Sequence, residues 1–221
     1  MEYQLDPTER RIVGVLIEKE TTTPEAYPLS LQALVTGCNQ KSNRDPVTSY
    51  ATFEIEGALR SLFQKRWVTT TNLHGRIEKW KHRVTEHLSL PPEALAVLAE
   101  LLLRGPQNPG ELRSRASRMA GGLLTLEHLN TAFGFLRDMH PSLVTTHAIL
   151  PGERVARMDH CLYLDEEAQT PSISTPASRQ AVPTATDTAT SLKSLEARLS
   201  LLEQEAAVLR AIVDELLQKD T

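Results

Sequence analysis

Hydrophobic and polar positions alternate along this chain in two recurring patterns, and together they predict most of its elements. Ile12, Val13, Leu16 and Ile17 recur at helical spacing behind Asp6-Pro7-Thr8-Glu9. That tetrapeptide supplies an N-cap, a proline for the first helical position and a glutamate to close a capping box, so a first helix is predicted to about Glu20. After a turn region holding Pro24 and Pro28, Ser30 is placed to cap a second helix over Leu31 to Thr36, with Gly37 as its left-handed stop. The polar run Asn39 to Pro46 has nothing apolar to bury and reads as an exposed loop. A third helix follows, with Phe53, Ile55 or Glu56, Leu59, Leu62 and Phe63 as its buried stripe. Val68 to Leu73 is β-branched, His74-Gly75 reads as a tight turn, and Arg76 to Val84 as the returning strand.

Three helices and a β-hairpin is the order of a winged helix, and the order repeats. Pro92 to Arg104 is a helix stopped by Gly105-Pro106, Asn108-Pro109 opens another that ends near Gly121-Gly122, and Thr125 to Met139 is a third. Paired strands are expected over Leu143–Ile149 and Arg154–Leu164. Two prolines at 91 and 92 mark the seam. The predicted organisation is therefore mainly α with small β-hairpins, an α+β fold of two tandem winged-helix domains over residues 1–88 and 89–167.

From Ala168 to Ser191 the chain is Ser, Thr and Pro-rich and lacks aromatics, so it reads as a disordered linker able to span about 25–30 Å. Beyond it Leu192, Leu195, Leu199, Leu202, Ala206, Leu209, Val213 and Leu216 keep an unbroken 3-4 spacing, the seam of a coiled coil over 192–219. With Leu192 at position a, Arg198 faces Glu203 and Glu205 faces Arg210 between parallel strands, each pair opposite in sign. A homo-oligomer is expected from this seam; folding back onto the same chain is the alternative, which Ile212 and Leu217 would also suit.

The runs Thr22-Thr23-Pro24-Glu25-Ala26-Tyr27-Pro28-Leu29-Ser30, Cys38 to Val47 and Leu101 to Ala116 resemble the hallmark segments of the YceH-like bacterial proteins. The likeness covers residues 1 to about 167 together with the general character of the tail. It implies tandem winged helices and brings no settled activity with it.

Composition narrows the chemistry. The 221 residues carry 40% hydrophobic and 24% charged side chains, ordinary soluble usage, and the apolar runs are far too short for a membrane span. With two cysteines, Cys38 and Cys161, and no basic-then-apolar leader, a cytoplasmic protein without disulfides is expected. The seven histidines show no zinc-ligand spacing, and no nucleophile elbow or phosphate-cradling glycine loop occurs, so neither metal, cofactor nor catalysis is predicted. Cys38, three residues before Lys41, reads as a small buried residue rather than an activated thiol.

Charge singles out one segment. Net charge is -4, yet residues 41–83 hold nine Lys/Arg against four Asp/Glu. Strand alternation sets Lys79, Lys81 and Arg83 on one face and Trp80, His82 and Val84 on the other, with Arg76 at the wing tip. Lys41, Asn43 and Arg44 precede the third helix, where a helix-turn-helix meets a duplex. Glu54 and Glu56 at the front of that helix would repel phosphates. In the second domain Arg113, Arg115 and Arg118 lie on the second helix, and Glu111, other local acids or a protein surface are their expected partners. The sequence thus predicts a non-catalytic, DNA-associated protein of regulatory type, with duplex DNA on the first domain and a protein partner on the second. The alternative is an adaptor whose winged helices and coiled coil bind proteins.

Overall fold

The computed structural model describes residues 3–71, 78–149 and 152–168. Arg76, the linker beyond Ala168 and the leucine seam from Leu192 to Leu216 lie outside the described residues. Residues up to Pro171 make one compact unit. Its architecture is mainly helical with small antiparallel sheets, as the periodicity predicts.

Helix α1 (Pro7–Thr22) opens on the expected capping box: Asp6 accepts from the Glu9 amide at 2.8 Å, and Glu9 accepts from the Asp6 amide at 2.8 Å. A two-residue strand β1 (Leu29–Ser30) leads into α2 (Leu31–Cys38), capped by the Ser30 hydroxyl. Gly37 does not stop α2. The helix runs to Cys38, and a Cβ at Gly37 would lie 2.8 Å from Cγ1 of Val15, so the glycine is there to let α2 approach α1. Helix α3 (Thr52–Gln64) buries Ile55, Ala58, Leu59 and Leu62. The expected stripe is corrected at both ends, because Phe53 is 74% exposed and Phe63 50%.

Strands β2 (Val68–Thr71) and β3 (Lys79–His82) pair antiparallel, and β1 joins the far side of β3, giving the order β1-β3-β2. The returning strand is shorter than expected. At Arg83 the chain turns into a short helix α4 (Val84–Leu88), which ends at Ser89 with a positive φ of 47°.

The second half repeats the order. Helix α5 (Pro92–Arg104) stops at Gly105, whose φ of 71° suits glycine; α6 (Pro109–Ala116) has its own capping box from Asn108 and Glu111; α7 (Leu126–Arg137) is capped by Thr125. Strands β4 (Val144–Thr146) and β5 (Met158–His160) pair antiparallel, and Gln107 bridges to Met158 where β1 stands in the first half. The correspondence reaches single residues. Leu129, Ala132, Phe133 and Leu136 repeat the buried spacing of α3. His82 opposite Val68 and His160 opposite Val144 each accept, through Nδ1, the amide two residues on at 3.2 Å. A last turn, α8 (Asp165–Ala168), follows.

The two halves meet along α1 and α5, the most extensive helix pairing among the described elements. Gly14 makes this possible: a Cβ there would sit 2.9 Å from Leu103 Cγ. The chain ends of the unit are also joined. The Leu5 amide donates to the Leu162 carbonyl at 3.0 Å, and Arg10 forms a bidentate pair with Glu167 at 2.7 and 3.0 Å. One continuous apolar core results, running from Leu5 to Leu162.

Candidate functional site

The polar loop after α2 is an internal clamp for much of its length. Arg44, expected on a phosphate-facing surface, has a side chain with 0% exposure. Its guanidinium pairs with Glu18 of α1, donates to the Gly37 carbonyl at 3.0 Å and reaches Gln40 Oε1 at 2.8 Å. A buried guanidinium so enclosed cannot meet a nucleic-acid phosphate, and Arg44 is withdrawn from that set. Asn43 is exposed with φ 57°, and its Oδ1 accepts from Arg104 of α5 at 3.0 Å. The Asp45 amide donates to the Leu103 carbonyl at 3.0 Å. Of the loop's two cations, Lys41 stands exposed without an ion pair among the described residues.

Behind this loop lies a buried ionic cluster. Arg118, expected on the second helix but lying two residues beyond the end of α6, bridges Glu18 and Glu100, pairing closely with the first and lying 3.3 Å from the second. Arg104 Nε is 3.0 Å from Glu100 Oε1 but out of line for a hydrogen bond, and both atoms are otherwise unpartnered. The two glutamates diverge. Burial pushes both carboxyls up, but bonds from Arg44 and Arg118 outweigh it at Glu18 and hold that group below its usual range. At Glu100 burial wins and the carboxyl is raised.

On β3 the alternation is as expected: Lys79 and Lys81 face outward, while Trp80 and His82 are buried. The comb is shorter in charge, however. Glu86 of α4 binds both Lys81, at 3.1 Å, and Arg83, at 2.9 Å, and the two cations lower its carboxyl below the usual range. Arg83 is not on the strand but precedes α4. His82 donates through Nε2 to Glu20 at 2.7 Å, because its Nδ1 is already an acceptor. Lys79 is the comb residue with no ion pair among the described residues.

Sequence reasoning did not anticipate the outward faces of the third helices. On α3, Phe53, Glu56, Gly57, Arg60, Phe63 and Gln64 share one side, with Glu56 and Arg60 paired at 2.6 Å. The Phe63 and Trp80 rings are nearly perpendicular, with their centroids 6.5 Å apart. In the second half Leu123, 79% exposed, and Leu126, 54% exposed, surround the start of α7, and Phe135 is exposed further along it. Arg115 takes Gln107 at 2.7 Å and Glu111 at 3.7 Å, and Arg113 donates to the Leu124 carbonyl at 3.3 Å.

Two further polar groups are buried, Asp159 and Cys38. Asp159 accepts from His147 Nε2 at 2.8 Å, from the His160 amide at 2.8 Å and from the Tyr163 hydroxyl at 3.0 Å. Burial drives the Cys38 thiol up to about 12, which leaves it protonated and inert. Among the described residues no cluster of three or more His, Cys, Asp or Glu is arranged to hold a metal, and no helix is long and apolar enough to cross a membrane.

Fold and surface together define a mainly helical α+β protein, built from two copies of one helix-and-hairpin order around a shared core. Residues 5–163 match the family described as "Protein of unknown function, DUF480", and the chain belongs to that family. It is 41% identical over 217 residues to a UPF0502 protein of Aliivibrio fischeri (strain MJ11), covering 96% of this chain and 97% of that one. A UPF0502 protein of Citrifermentans bemidjiense is 45% identical over 157 residues, 71% of this chain and 73% of the relative. One from Pseudoalteromonas atlantica is 39% identical over 224 residues, 97% and 95% respectively.

Proposed function

We propose that this chain is a non-catalytic adaptor: a cytoplasmic tandem winged-helix protein whose third helices contact other proteins and whose leucine seam joins copies of the chain. The observation that carries this reading is the outward face of α3. A helix that enters a DNA groove normally presents cations to phosphates. Here two exposed phenylalanines flank an open glycine, and the face's one cation is matched by Glu56. The start of α7 is likewise apolar, with Glu127 beside it. Charge-poor, aromatic surfaces of this kind suit protein contacts.

A DNA-associated regulator is the second reading, and one observation favours it: Lys79 and Lys81 do project from β3. A photoreactive group placed at Phe53 or Leu126 of the full chain separates the two in living cells. The adaptor reading expects adducts that protease removes and nuclease does not. Nuclease-sensitive adducts at position 53 would instead place α3 on nucleic acid and return the regulator to first place.

A further inference from the structure

We propose that the protein partner of α3 is the α3 helix of a second copy of this chain, packed antiparallel about a two-fold axis at the level of Ala58. The proposal rests on the reading of α3 as a protein-contacting helix and names its partner. Three independent features of the helix support it.

Gly57 is the first. It lies in the interior of a thirteen-residue helix, where glycine is the least favourable residue after proline. Apart from its chain neighbours and the backbone of its own helix, no heavy atom of the described residues lies within 4 Å of the position a Cβ would take, so packing against the rest of the described fold does not require the glycine. A glycine on an exposed helix face does allow a second helix to come close. Exposure is the second feature, since Phe53 and Phe63 stand outward on the same side, and their size would ordinarily put them in a core.

The third feature is self-complementarity, which a two-fold contact demands. Phe53, Glu56, Gly57, Arg60, Phe63 and Gln64 fall within an arc of about 120° at 100° per residue. When two such helices run antiparallel with Ala58 at the same level, residue numbers on facing positions sum to a constant. Phe53 then faces Phe63 of the second copy, and Glu56 faces Arg60 of the second copy. Apolar meets apolar and acid meets base, twice over. A register shifted by one turn brings Arg60 against Arg60 in one direction and Glu56 against Glu56 in the other, and separates Phe53 from Phe63 in both. A single helix pair is small beside a standard interface, so the contact is weak alone and depends on copies being held together elsewhere.

Covalent trapping tests this in the full-length chain. In a Cys161→Ser background, one tagged chain carries Phe53→Cys and a differently tagged chain carries Phe63→Cys; the two are mixed with a mild oxidant such as diamide. In the proposed register the two thiols face each other, whereas two copies of the same variant hold theirs about 15 Å apart along the axis, out of disulfide reach. The mixed disulfide should form at least tenfold faster than either homodimer. Adding Gly57→Gln to both chains should remove that excess while raising the melting temperature, which shows that the fold survives. Equal rates for mixed and like pairs, or an excess unaffected by Gly57→Gln, would overturn the proposal. Such a failure, together with protease-sensitive adducts at position 53, leaves the adaptor reading intact and removes only the identity of the partner.

Discussion

Arg44 shows what a residue's neighbours along the chain conceal. Its acceptor, Glu18, lies 26 positions away on another element, and the local sequence around Arg44 is uniformly polar. Nothing at that level distinguishes a buried ion pair from a phosphate contact. Removing one partner of such a pair leaves a charge stranded in the interior, so Arg44→Ala should cost about 3–5 kcal/mol in chemical denaturation. Lys79→Ala, at an outward position, should stay within about 0.5 kcal/mol. His160 gives a pH signature. Burial, reinforced by Arg10, lowers its pKa from 6.5 to about 3, so the folded imidazole stays neutral where the unfolded one takes a proton. Its contribution is complete above about pH 6.5 and is lost as pH falls toward 3, at up to about 1.4 kcal/mol per unit. His160→Gln should reduce the slope of stability against pH in that window by close to one proton, as read by urea unfolding at several pH values. Glu100 has the opposite sign: its raised carboxyl disfavours the folded state as pH rises through its titration, which partly offsets the histidine.

At the scale of elements, periodicity and caps carried most of the information. Asp6, Ser30, Asn108 and Thr125 cap the helices their sequences mark, and Gly105 ends α5. Two failures share a cause, namely that a residue type reports a local preference while its use depends on what lies opposite. Gly37 has the composition of a helix stop and serves as a contact point for Val15; Phe53 and Phe63 have the composition of core residues and face outward. Gly14 and Gly57 make the contrast measurable. Both are helix-interior glycines, and alanine gains about 1 kcal/mol of helix propensity at either. At Gly14 the new methyl meets Leu103, and overpacking of about 1–3 kcal/mol should outweigh the gain. At Gly57 the space is open, so Gly57→Ala should raise the melting temperature of the dilute protein while Gly14→Ala lowers it.

For the whole molecule, folding brings acids from outside the segment to meet much of the local charge excess. Eight of the nine cations in residues 41–83 are described, and five are in ion pairs: Arg44 with Glu18, Arg60 with Glu56, Lys65 with Glu9, and Lys81 and Arg83 with Glu86. Of those acids only Glu56 belongs to the same segment. Duplication was legible in the element order, whereas the junction was not, since Glu18, Glu100 and Arg118 come from three separate stretches of sequence. The shared core and the join between Leu5 and Leu162 predict a single unfolding transition for the folded unit. Both tryptophans, Trp67 and Trp80, lie in the first half, so their fluorescence reports that half while far-UV circular dichroism reports both. The two urea curves should coincide; ellipticity persisting after fluorescence has reached its unfolded value would mean that the halves melt separately.

If most of these cations are matched by acids and the third helices face proteins, the full-length chain should have little use for a duplex. Anisotropy of a fluorescent random duplex, titrated with nucleic acid-free protein at 50 and 200 mM salt, measures this directly. The account predicts no binding tighter than tens of micromolar at 200 mM salt, and no change when Lys79→Glu and Lys81→Glu are introduced. Submicromolar binding that weakens steeply with salt and is lost in that double variant would contradict it.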